Sequence, residues 1–404
     1  MSRQRVMLVS LHYSPEQTGN APYAAGLAQG LSRRFDVDVV TAHPHYPEWR
    51  IAPGYGGWRR TESQQNLTVH RLKHFVPTKP TGISRIVSEA TFMARALGPR
   101  TPRPDVILTM TPALAPVASA LALGRKWQVP VGVIVQDLYS KAFSELELMD
   151  GRLDAAAFRF ERALLRRASG VVSIHASMAE VIRRDFGLLD AAITVIPNWT
   201  HVAPPVGDRE LRRREMGWDD GKFTVVHAGN MGAKQGLEHL IPVGRMLDER
   251  DQDVRLVLIG NGGQRERLER AAKGVRSIEF MDSLPSETFM ETLSAADALL
   301  LHERPGMKEM CVPSKLTTYF AAKRPVVAVS DPGSAASHEM RASGAGVLVN
   351  SGGATALVEA FDKLRSCDLD SLGEAGLAYA RSELSESSAI GRYLSFVSSL
   401  LANR

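Results

Sequence analysis

Short apolar runs alternate with helical segments through most of this 404-residue chain. Residues 6–10 form the first of these runs, and residues 298–301 form another much further along. Uninterrupted apolar runs of this length are typical of strands in parallel sheets, which are covered on both faces. The alternation therefore favours an α/β architecture, in which ligands bind at the carboxyl edge of the sheet.

The remaining apolar runs predict further strands. They span residues 37–41, 105–110, 131–136, 171–175, 193–196, 223–228, 256–259, 278–281, 325–329 and 347–350. The alternation is interrupted at Pro204 and Pro205 and then starts again, which favours two α/β domains. We therefore predict an N-terminal domain over 1–203, a C-terminal domain over 204–385 and a final helix within 386–404.

Composition narrows the class of protein. Hydrophobic residues make up 44% of the chain and charged residues 23%, which is ordinary for a soluble globular protein. The chain has only two cysteines, which argues against a disulfide framework and fits a reducing compartment. No apolar run reaches the roughly 18 residues of a membrane-spanning helix, and none resembles a signal peptide. We expect a cytoplasmic protein.

The stretch 302–330 has the order strand end, polar loop, helix, strand. Ser314 is a candidate N-cap of the helix, and Lys315 follows it. A helix N-terminus offers free backbone N–H groups and a partial positive charge, to which Lys315 would add a full charge. On this stretch alone an ordinary helix cap is favoured, because caps occur on most helices, and a phosphate site is the alternative.

A second candidate anion site is the glycine-rich segment 229–236, which reads GNMGAKQG. Its glycines permit tight backbone conformations, and Lys234 places a cation at the start of a helix, an arrangement that suits a diphosphate. The segment is not a Walker loop, because GK[ST] is missing. Together with the 314–315 segment, it favours a phosphate-bearing ligand.

The first loop, LHYSPEQTGNAPY, carries Gly19 and Asn20 where backbone could approach a ligand closely, although it is not a dinucleotide fingerprint. A flexible connection is the alternative. Asp137 ends a predicted strand, where such sheets bind ligands, and a helix N-cap is the competing interpretation.

Residues 50–103 carry ten arginine and lysine side chains against two glutamates, interleaved with aromatic and aliphatic residues. The basic candidates in this segment are Arg59, Arg60, Lys73 and Arg85. Such a mixture suits an anionic membrane surface. A solvated basic face and a nucleic-acid surface are the alternatives, and no nucleic-acid-binding motif supports the last.

Taken together, HYSPEQTGNAPYAAGLAQGLSRRFDVDVVT, VIPNW, HAGNMGAKQGLEHLI, LVLIGNGGQRERLE, IEFMDSLPSETFMETLSAADALLL and PSKLTTYFAAKRPVVAVS resemble glycosyltransferase family 4 over nearly the whole chain. The similarity is greatest to the bacterial exopolysaccharide and O-antigen branch that includes fucosyl- and N-acetylfucosaminyltransferases. The resemblance implies a GT-B fold, with two Rossmann-like domains facing across a cleft and a C-terminal helix packing back on the N-terminal domain.

The resemblance also implies roles for single residues. In the glycine-rich turn, Asn230 and Gln235 stand where the family has its diphosphate-binding Arg and Lys, so Lys234 is the candidate cation. Gly229 belongs to the same turn. In the first loop, Gly19 matches the glycine that approaches the donor phosphate.

Further along, the two glutamates of the family's E-x7-E motif would fall on Met310 and Thr318, so that Glu309 is the candidate replacement. Ser314 and Lys315 lie between these two positions. Asp137 falls near the family's acceptor-side residue.

The implied reaction transfers a sugar from a nucleoside diphosphate sugar to an acceptor hydroxyl with retention of configuration. Lysine and helix dipoles would replace a metal ion on the leaving diphosphate, and no metal site, cofactor or nucleic-acid partner is predicted. The acceptor would be lipid-linked, at the inner face of the cytoplasmic membrane.

Two other functions remain open. A sugar-nucleotide epimerase of the same fold would use acidic and histidine side chains, and His12, His43 and His45 are available. A catalytically weak scaffold that binds nucleotide sugar would explain the missing glutamates. Zinc chemistry through Cys311 and Cys367 has no CxxC support.

Overall fold

The computed structural model describes residues 3–17, 19–78, 82–140, 151–200, 204–306, 314–350 and 353–402. The chain divides into two compact units. Unit 1 comprises Met1–Asn198 together with Glu386–Arg404, and unit 2 comprises Trp199–Ser385. The domain boundary predicted between 203 and 204 adjoins residues 201–203, which lie outside the described residues.

Unit 1 is built on a sheet of eight described strands. They are β1 (Arg5–Val9), β2 (Asp36–Ala42), β3 (Arg59–Gln64), β4 (Leu67–Leu72), β5 (Val106–Met110), β6 (Val131–Val135), β7 (Gly170–Ser173) and β8 (Ile193–Val195). Their order across the sheet is β3-β4-β2-β1-β5-β6-β7-β8. Strands β1, β5 and β6 are buried almost throughout, which explains their apolar sequences.

Strands β3 and β4 form an antiparallel hairpin that the sequence analysis did not predict. The hairpin pairs Arg59 with Leu72 and Arg60 with Arg71, and it turns at Gln65, whose φ is 48°. Strand β4 in turn pairs in parallel with β2, so the hairpin extends the sheet at one edge. Part of the basic segment 50–103 is therefore sheet.

Unit 2 is built on six described strands that are all parallel. They are β9 (Phe223–Ala228), β10 (Val254–Ile259), β11 (Ile278–Met281), β12 (Ala298–His302), β13 (Val326–Val329) and β14 (Gly346–Val349). Their order is β11-β10-β9-β12-β13-β14. Each coincides with a predicted strand to within two residues at either end, because an apolar run marks each one.

The described α-helices connect these strands. They are α1 (Ala21–Ser32), α2 (Gly82–Ala96), α3 (Leu114–Trp127), α4 (Gly151–Leu165), α5 (Ala176–Val181), α6 (Arg209–Glu215), α7 (Leu240–Glu249), α8 (Arg265–Ala271), α9 (Ser286–Ala295), α10 (Ser314–Ala321), α11 (Ala335–Ser343), α12 (Ala354–Arg365), α13 (Leu369–Ser382) and α14 (Glu386–Ala402). Both units thus have the α/β architecture that the sequence predicts.

Helix α14 packs on unit 1, as predicted. A Cβ added at Gly132 in β6 or at Gly170 in β7 would lie within 3.0 Å of the Phe396 ring. One added at Gly30 in α1 would lie 2.6 Å from Ile390. Glycine at these positions lets the apolar face of α14 approach strands and helix closely.

In unit 2, the sheet separates two apolar cores. Alternate residues of β9 face opposite ways, so that Val225 joins one core and Val226 the other. Helices α7, α8 and α12 cover the first face, and α9, α10, α11 and α13 cover the second. With both faces covered, the ends of the strands are the accessible parts of the sheet.

Each sheet has a point where the strand order reverses. In unit 1, the chain passes from β1 outwards to β2 and later begins again on the other side of β1 with β5. In unit 2, β9 and β12 have the same relation. The two loops that diverge at such a point leave a crevice at the carboxyl ends of the strands, where ligands bind in open α/β sheets.

Among the described residues, no helix is both long and apolar enough to cross a membrane.

Candidate functional site

The glycine turn 229–236 follows β9 at the crevice of unit 2. Gly229 has a φ of 126°, and a Cβ added at the neighbouring Gly260 would lie 2.1 Å from the Gly229 carbonyl oxygen. Because a side chain at either position would be strained or would clash, the loops after β9 and β10 need glycine there. The turn therefore lies against the loop after β10, at the carboxyl edge of the sheet.

Lys315, the second residue of α10, reaches the underside of this turn. Its Nζ lies 3.1 Å from Nε2 of the buried His227 on β9. The other ring nitrogen of His227 donates to the Leu300 carbonyl at 3.0 Å, so Nε2 is the acceptor for Lys315. A Cβ on Gly229 would lie 2.8 Å from Cε of Lys315, so glycine makes room for the lysine.

Burial changes the protonation of this pair. It lowers the pKa of Lys315 to about 8, and the opposing charge of Glu303 offsets only part of the effect. Burial and the neighbouring Lys315 hold the pKa of His227 well below its usual value. His227 is therefore a neutral acceptor, and Lys315 is a cation that a bound anion would stabilise.

The two neutral residues at the family's cation positions have different surroundings. The Oε1 of Gln235 accepts from the backbone N–H of Gly232 at 3.1 Å, and the Gln235 carbonyl accepts from Nδ1 of His302 at 2.6 Å. Gln235 therefore shapes the turn. Asn230 is exposed, and its side chain lies against the loop after β10, where a Cβ on Gly262 would approach Asn230 Oδ1 to 2.6 Å.

Lys234 is half-buried, and its carbonyl accepts from the backbone N–H of Arg304 at 3.0 Å. The structure thus brings Lys234 and Lys315 to the same turn. Thr318 is half-buried one turn further along α10, which begins at Ser314. Glu309 lies outside the described residues.

Tyr319 fixes α10 against β9. Its hydroxyl accepts from the backbone N–H of Ala228 at 2.9 Å and lies 3.3 Å from the Ala228 carbonyl. Sequence reasoning missed Tyr319 and His227. A signal was present, because Lys315 and Tyr319 are four residues apart on one helix face and His227 ends an apolar strand.

At the crevice of unit 1, three loops meet at Thr111. The side-chain amide of Asn20 donates to the Thr111 carbonyl at 3.1 Å, and the Thr111 hydroxyl donates to the Asp137 carbonyl at 2.8 Å. Asn20 and Asp137 therefore lie near the same edge, as predicted from their positions after strands. Gly19 has a φ of 64° and open space where a Cβ would stand.

The turn that carries Asp137 is held by the buried Glu161 of α4. Its carboxyl oxygens accept from the backbone N–H groups of Tyr139 at 2.8 Å and Ser140 at 2.9 Å, and from the Ser140 hydroxyl at 2.6 Å. Burial raises the pKa of Glu161 despite these bonds. Sequence reasoning missed Glu161, which follows Asp137 by more than twenty residues.

Glu16 pins a second loop at this edge. One carboxylate oxygen accepts from the backbone N–H groups of His45 at 2.7 Å and Tyr46 at 2.9 Å, and the other lies 2.7 Å from Nδ1 of His12. Burial alone would raise the pKa of Glu16, but these hydrogen bonds hold it below its usual value. Potential metal-ligating atoms of His12, Glu16 and His45 all lie within 4.8 Å of one another.

The basic candidates of unit 1 lie on three elements. Arg59 and Arg60 are on β3, Lys73 follows β4, and Arg85 is on α2. Burial and the nearby Arg100 and Arg95 lower the pKa of Arg59. Arg60 pairs with Glu62 at 2.9 Å, whereas Lys73 and Arg85 are exposed. Apolar side chains share this segment, since Trp58 is 69% and Ile86 55% exposed.

Comparison with known proteins identifies the class of protein to which this chain belongs. Residues 18–199 match the glycosyl transferase 4-like domain, and residues 222–366 match the glycosyl transferases group 1 domain. The first match covers most of unit 1 and the second most of unit 2. The chain belongs to the glycosyltransferases with the GT-B fold.

Particular relatives share most of this chain. WcaI of Escherichia coli K12, named as a colanic acid biosynthesis glycosyl transferase, is 28% identical over 78% of this chain and 81% of its own. Sucrose-phosphate synthase from Thermosynechococcus elongatus has a similar structure, with a TM-score of 0.74, 16% identity and complete coverage of both chains. Anabaena HepE, solved with UDP and glucose, has a TM-score of 0.69 and 14% identity over 98% of this chain and 100% of its own.

Proposed function

We propose that this protein is a retaining glycosyltransferase that moves a sugar from a nucleoside diphosphate sugar to a saccharide acceptor in bacterial polysaccharide synthesis. The observation that carries the proposal is the Lys315–His227 pair beneath the glycine turn, where the strand order of unit 2 reverses. A half-buried cation at the N-terminus of α10, beside the glycine turn, suits a diphosphate. The similarity to WcaI supports polysaccharide synthesis, and the ligands of HepE support a sugar-nucleotide donor.

In this proposal, Lys315 has the role of the family's missing cation. Asn230 and Gln235 are neutral, and the Gln235 amide is occupied within the turn. Lys315 reaches the same turn from α10, and the space left by Gly229 admits it. The sequence analysis gave this role to Lys234, which stays a prediction as a cation on the same turn, with Ser314 and Thr318 beside the diphosphate or ribose.

The proposed chemistry needs no strong base from the protein. The bond between the sugar C1 and the donor phosphate oxygen breaks while the acceptor oxygen bonds to C1 on the same face. The proton of the acceptor hydroxyl passes to the donor phosphate, and the nucleoside diphosphate leaves. Lys315 and the N-terminus of α10 stabilise the negative charge that develops on the diphosphate, without a metal ion.

The proposed acceptor is lipid-linked, and the basic segment of unit 1 would hold the protein at an anionic membrane surface. The support is chemical, because exposed Trp58 and Ile86 accompany Lys73 and Arg85 on this segment. Aromatic and aliphatic side chains mixed with basic ones favour the lipid–water interface. Transfer of fucose or N-acetylfucosamine stays a prediction from the family resemblance.

A thermal-shift panel of UDP, GDP and their sugars, in magnesium and in EDTA, tests the donor site. A ligand that binds only the folded protein raises the melting temperature by mass action. We expect one base to raise it equally in magnesium and in EDTA. No rise with any nucleotide would contradict the donor proposal, and a rise that requires magnesium would contradict metal independence.

Product analysis then separates the remaining functions. NMR of the glycoside formed with the selected donor should show the donor's anomeric configuration. Inverted configuration would contradict the retaining mechanism, and conversion of the nucleotide sugar to its epimer without acceptor would indicate the epimerase. Binding without any turnover would indicate the scaffold.

A further inference from the structure

Side chains that can bind a metal ion come together in unit 1 from three segments of the chain. The loop after β1, the loop after β2 and the segment after β4 contribute a histidine cluster that consists of His12, Glu16, His43, His45 and His74. One potential ligand atom from each of His12, Glu16 and His45 lies within 4.8 Å of the other two. The proposed transferase uses none of these side chains, and no metal site is predicted from the sequence.

Backbone carbonyl groups orient two of these rings. Nδ1 of His45 lies 2.9 Å from the His43 carbonyl oxygen, and Nε2 of His43 lies 3.2 Å from the Gly57 carbonyl oxygen. A carbonyl oxygen only accepts hydrogen bonds, so these two nitrogens donate. Burial lowers the pKa of both rings, so each is neutral and its other nitrogen keeps a lone pair. Metal-binding histidines are oriented in the same way, with one nitrogen donating to an oxygen and the other on the ion.

The remaining ring nitrogens of the buried histidines have no hydrogen-bond partner among the described residues. This holds for Nε2 of His45, for Nδ1 of His43 and for both nitrogens of His74, which is 7% exposed. The His74 ring lies edge-on to that of His45, with the centroids 4.7 Å apart. Buried polar atoms in folded proteins are nearly always paired, because an unpaired one is destabilising. Four such nitrogens on three neighbouring rings therefore point to a ligand that takes lone pairs.

Glu16 supplies the negative charge that a cation needs. One of its carboxylate oxygens accepts from the backbone N–H groups of His45 at 2.7 Å and Tyr46 at 2.9 Å, which holds the carboxylate in place. The other oxygen lies 2.7 Å from Nδ1 of His12. An ion bound between these two atoms would replace the proton that they share and release it to solvent. The His12 side chain is 20% exposed, so an ion can enter from its side.

We propose that His12, Glu16 and His45 bind a divalent transition-metal ion of the zinc type. His74 is the candidate fourth ligand. Imidazole with one carboxylate suits Zn²⁺, Co²⁺ and Ni²⁺, whereas Mg²⁺ and Ca²⁺ prefer oxygen ligands alone. Ligand atoms about 2.1 Å from a tetrahedral ion stand roughly 3.4 Å apart, so each side chain would move by about 1 Å or less on binding.

The proposed ion is structural. It would join the loop after β1 to the loop after β2, and it has no part in the proposed binding of the diphosphate to unit 2. Ordered water is the competing occupant, because water can also pair with buried nitrogens. The two differ in a measurable way, since only a metal ion binds in a fixed stoichiometry and is removed by a chelator.

The test uses the whole protein, purified without a polyhistidine tag, stripped with EDTA and then dialysed free of chelator. The probes are Co²⁺, whose visible absorption reports its coordination, and Zn²⁺ as the competitor. His12→Phe keeps a planar ring without nitrogen, and Glu16→Gln keeps the shape of the side chain without its charge. The exposed His338 on α11 of unit 2 gives the matched control His338→Phe.

We expect wild type and His338→Phe to bind one equivalent of Co²⁺, with a visible band that Zn²⁺ abolishes. His12→Phe and Glu16→Gln should each bind at least about tenfold more weakly, because each has lost one ligand. Zn²⁺ should raise the melting temperature of wild type and the control more than that of the two variants. Anomalous diffraction from wild-type crystals grown with Zn²⁺ locates the ion without any substitution, so the test holds even where a variant does not fold.

Three results would overturn the metal site: no stoichiometric binding of Co²⁺ to wild type, unchanged binding in both variants, or an anomalous peak away from His12, Glu16 and His45. The melting shift that the donor nucleotide produces in wild type, measured in the same buffer, reports the proposed function separately. An intact donor shift without a metal site would leave the transferase proposal standing. Loss of the donor shift with the metal site intact would remove the transferase proposal alone.

Discussion

The two units share one sheet architecture but place different chemistry at its carboxyl edge. In unit 2, the edge consists of glycine-rich backbone with the half-buried Lys315 beneath it. In unit 1, it carries His12, which is hydrogen-bonded to Glu16, and Asp137, on a turn whose backbone N–H groups donate to Glu161. Because both crevices arise from the same reversal of strand order, the fold alone does not distinguish their ligands.

The difference is one of charge and burial. The N-terminus of α10 and a partly desolvated lysine favour an anion in unit 2, whereas imidazole and aromatic rings line the edge of unit 1. Unit 1 also carries positive charge on its basic segment, where Lys73 and Arg85 are exposed. Substitutions can test this division between the half-buried Lys315 of unit 2 and the basic segment of unit 1.

The largest effect should come from reversing the surface charge of unit 1. Replacing Arg59, Arg60, Lys73 and Arg85 by Glu should weaken binding to anionic liposomes by about a thousandfold or more, since each basic residue contributes about 1 kcal/mol. Sedimentation with phosphatidylglycerol vesicles measures the loss.

A matched control for this charge reversal replaces the same number of exposed arginines in unit 2, at 245, 250, 267 and 270. Both variants change the net charge equally, but only the first replaces basic residues in the segment that also carries Trp58 and Ile86. Equal losses of liposome binding would show that overall charge, and not this segment, determines attachment.

Lys315→Met should weaken donor binding roughly 10- to 150-fold, because a charge-assisted hydrogen bond to phosphate is lost. The apolar replacement has a similar length, and it removes a cation that burial disfavours, so the fold should persist. Isothermal titration with the selected nucleotide sugar measures affinity, and thermal unfolding checks the fold. Lys222→Met, at an exposed lysine before β9, should bind donor normally. Full donor affinity in Lys315→Met would transfer the cation role to Lys234.

Donor affinity should fall as the pH rises through about 8, by up to tenfold per pH unit. Burial lowers the pKa of Lys315, so the free protein loses this cation at a pH where an exposed lysine keeps it, and a bound diphosphate restores the proton. Titrations in buffers of different ionisation enthalpy should show proton uptake on binding. Lys315→Met should lack both effects, and a pH-independent affinity in wild type would contradict the assignment.

The lowered pKa of Lys315 also predicts how the free energy of unfolding of the ligand-free protein changes with pH. Between about pH 8 and 10.5 the unfolded chain holds a proton on this lysine that the folded chain has lost. The contribution of Lys315 to the free energy of unfolding therefore increases with pH in that window. Denaturant unfolding of wild type and Lys315→Met across the window measures the difference.

The smallest effects should arise at the carboxyl edge of the sheet in unit 1. Asp137→Asn should lower turnover severalfold with little change in donor affinity, if Asp137 contacts the acceptor side of the reaction. Glu161→Gln should instead reduce stability by about 1–3 kcal/mol, because the new amide group faces donors at Ser140. Equal losses of turnover and donor affinity in Asp137→Asn would indicate a structural role for the aspartate.

The sequence predicts the strands of unit 2 well because each is an apolar run buried on both faces. It failed for the β3–β4 hairpin, since β3 reads RRTESQ and is largely exposed at the edge of its sheet. A strand with one hydrogen-bonded neighbour and few buried side chains has no apolar signal. Its identity depends on pairing with β4, which the local sequence does not reveal.

The candidate sites show the same limit. Gly229, Lys234 and Lys315 could be proposed because glycine spacing and helix caps are local signals. The partner of Lys315 could not, because His227 lies 88 residues away and the contact forms only when α10 packs on β9. Glu16 and Glu161 likewise accept hydrogen bonds from backbone N–H groups of distant loops, and the residue type alone does not predict this role.

The return of α14 to unit 1 has a consequence for biosynthesis. The ribosome delivers the whole of unit 2 before residues 386–402, whose side chains Ile390 and Phe396 cover Gly30, Gly132 and Gly170. Unit 2 can therefore complete its core during translation. The N-terminal part of unit 1 keeps an uncovered apolar surface until α14 has been synthesised. Unit 1 is therefore begun first but completed last, and its N-terminal part would be exposed to chaperones for longer than unit 2.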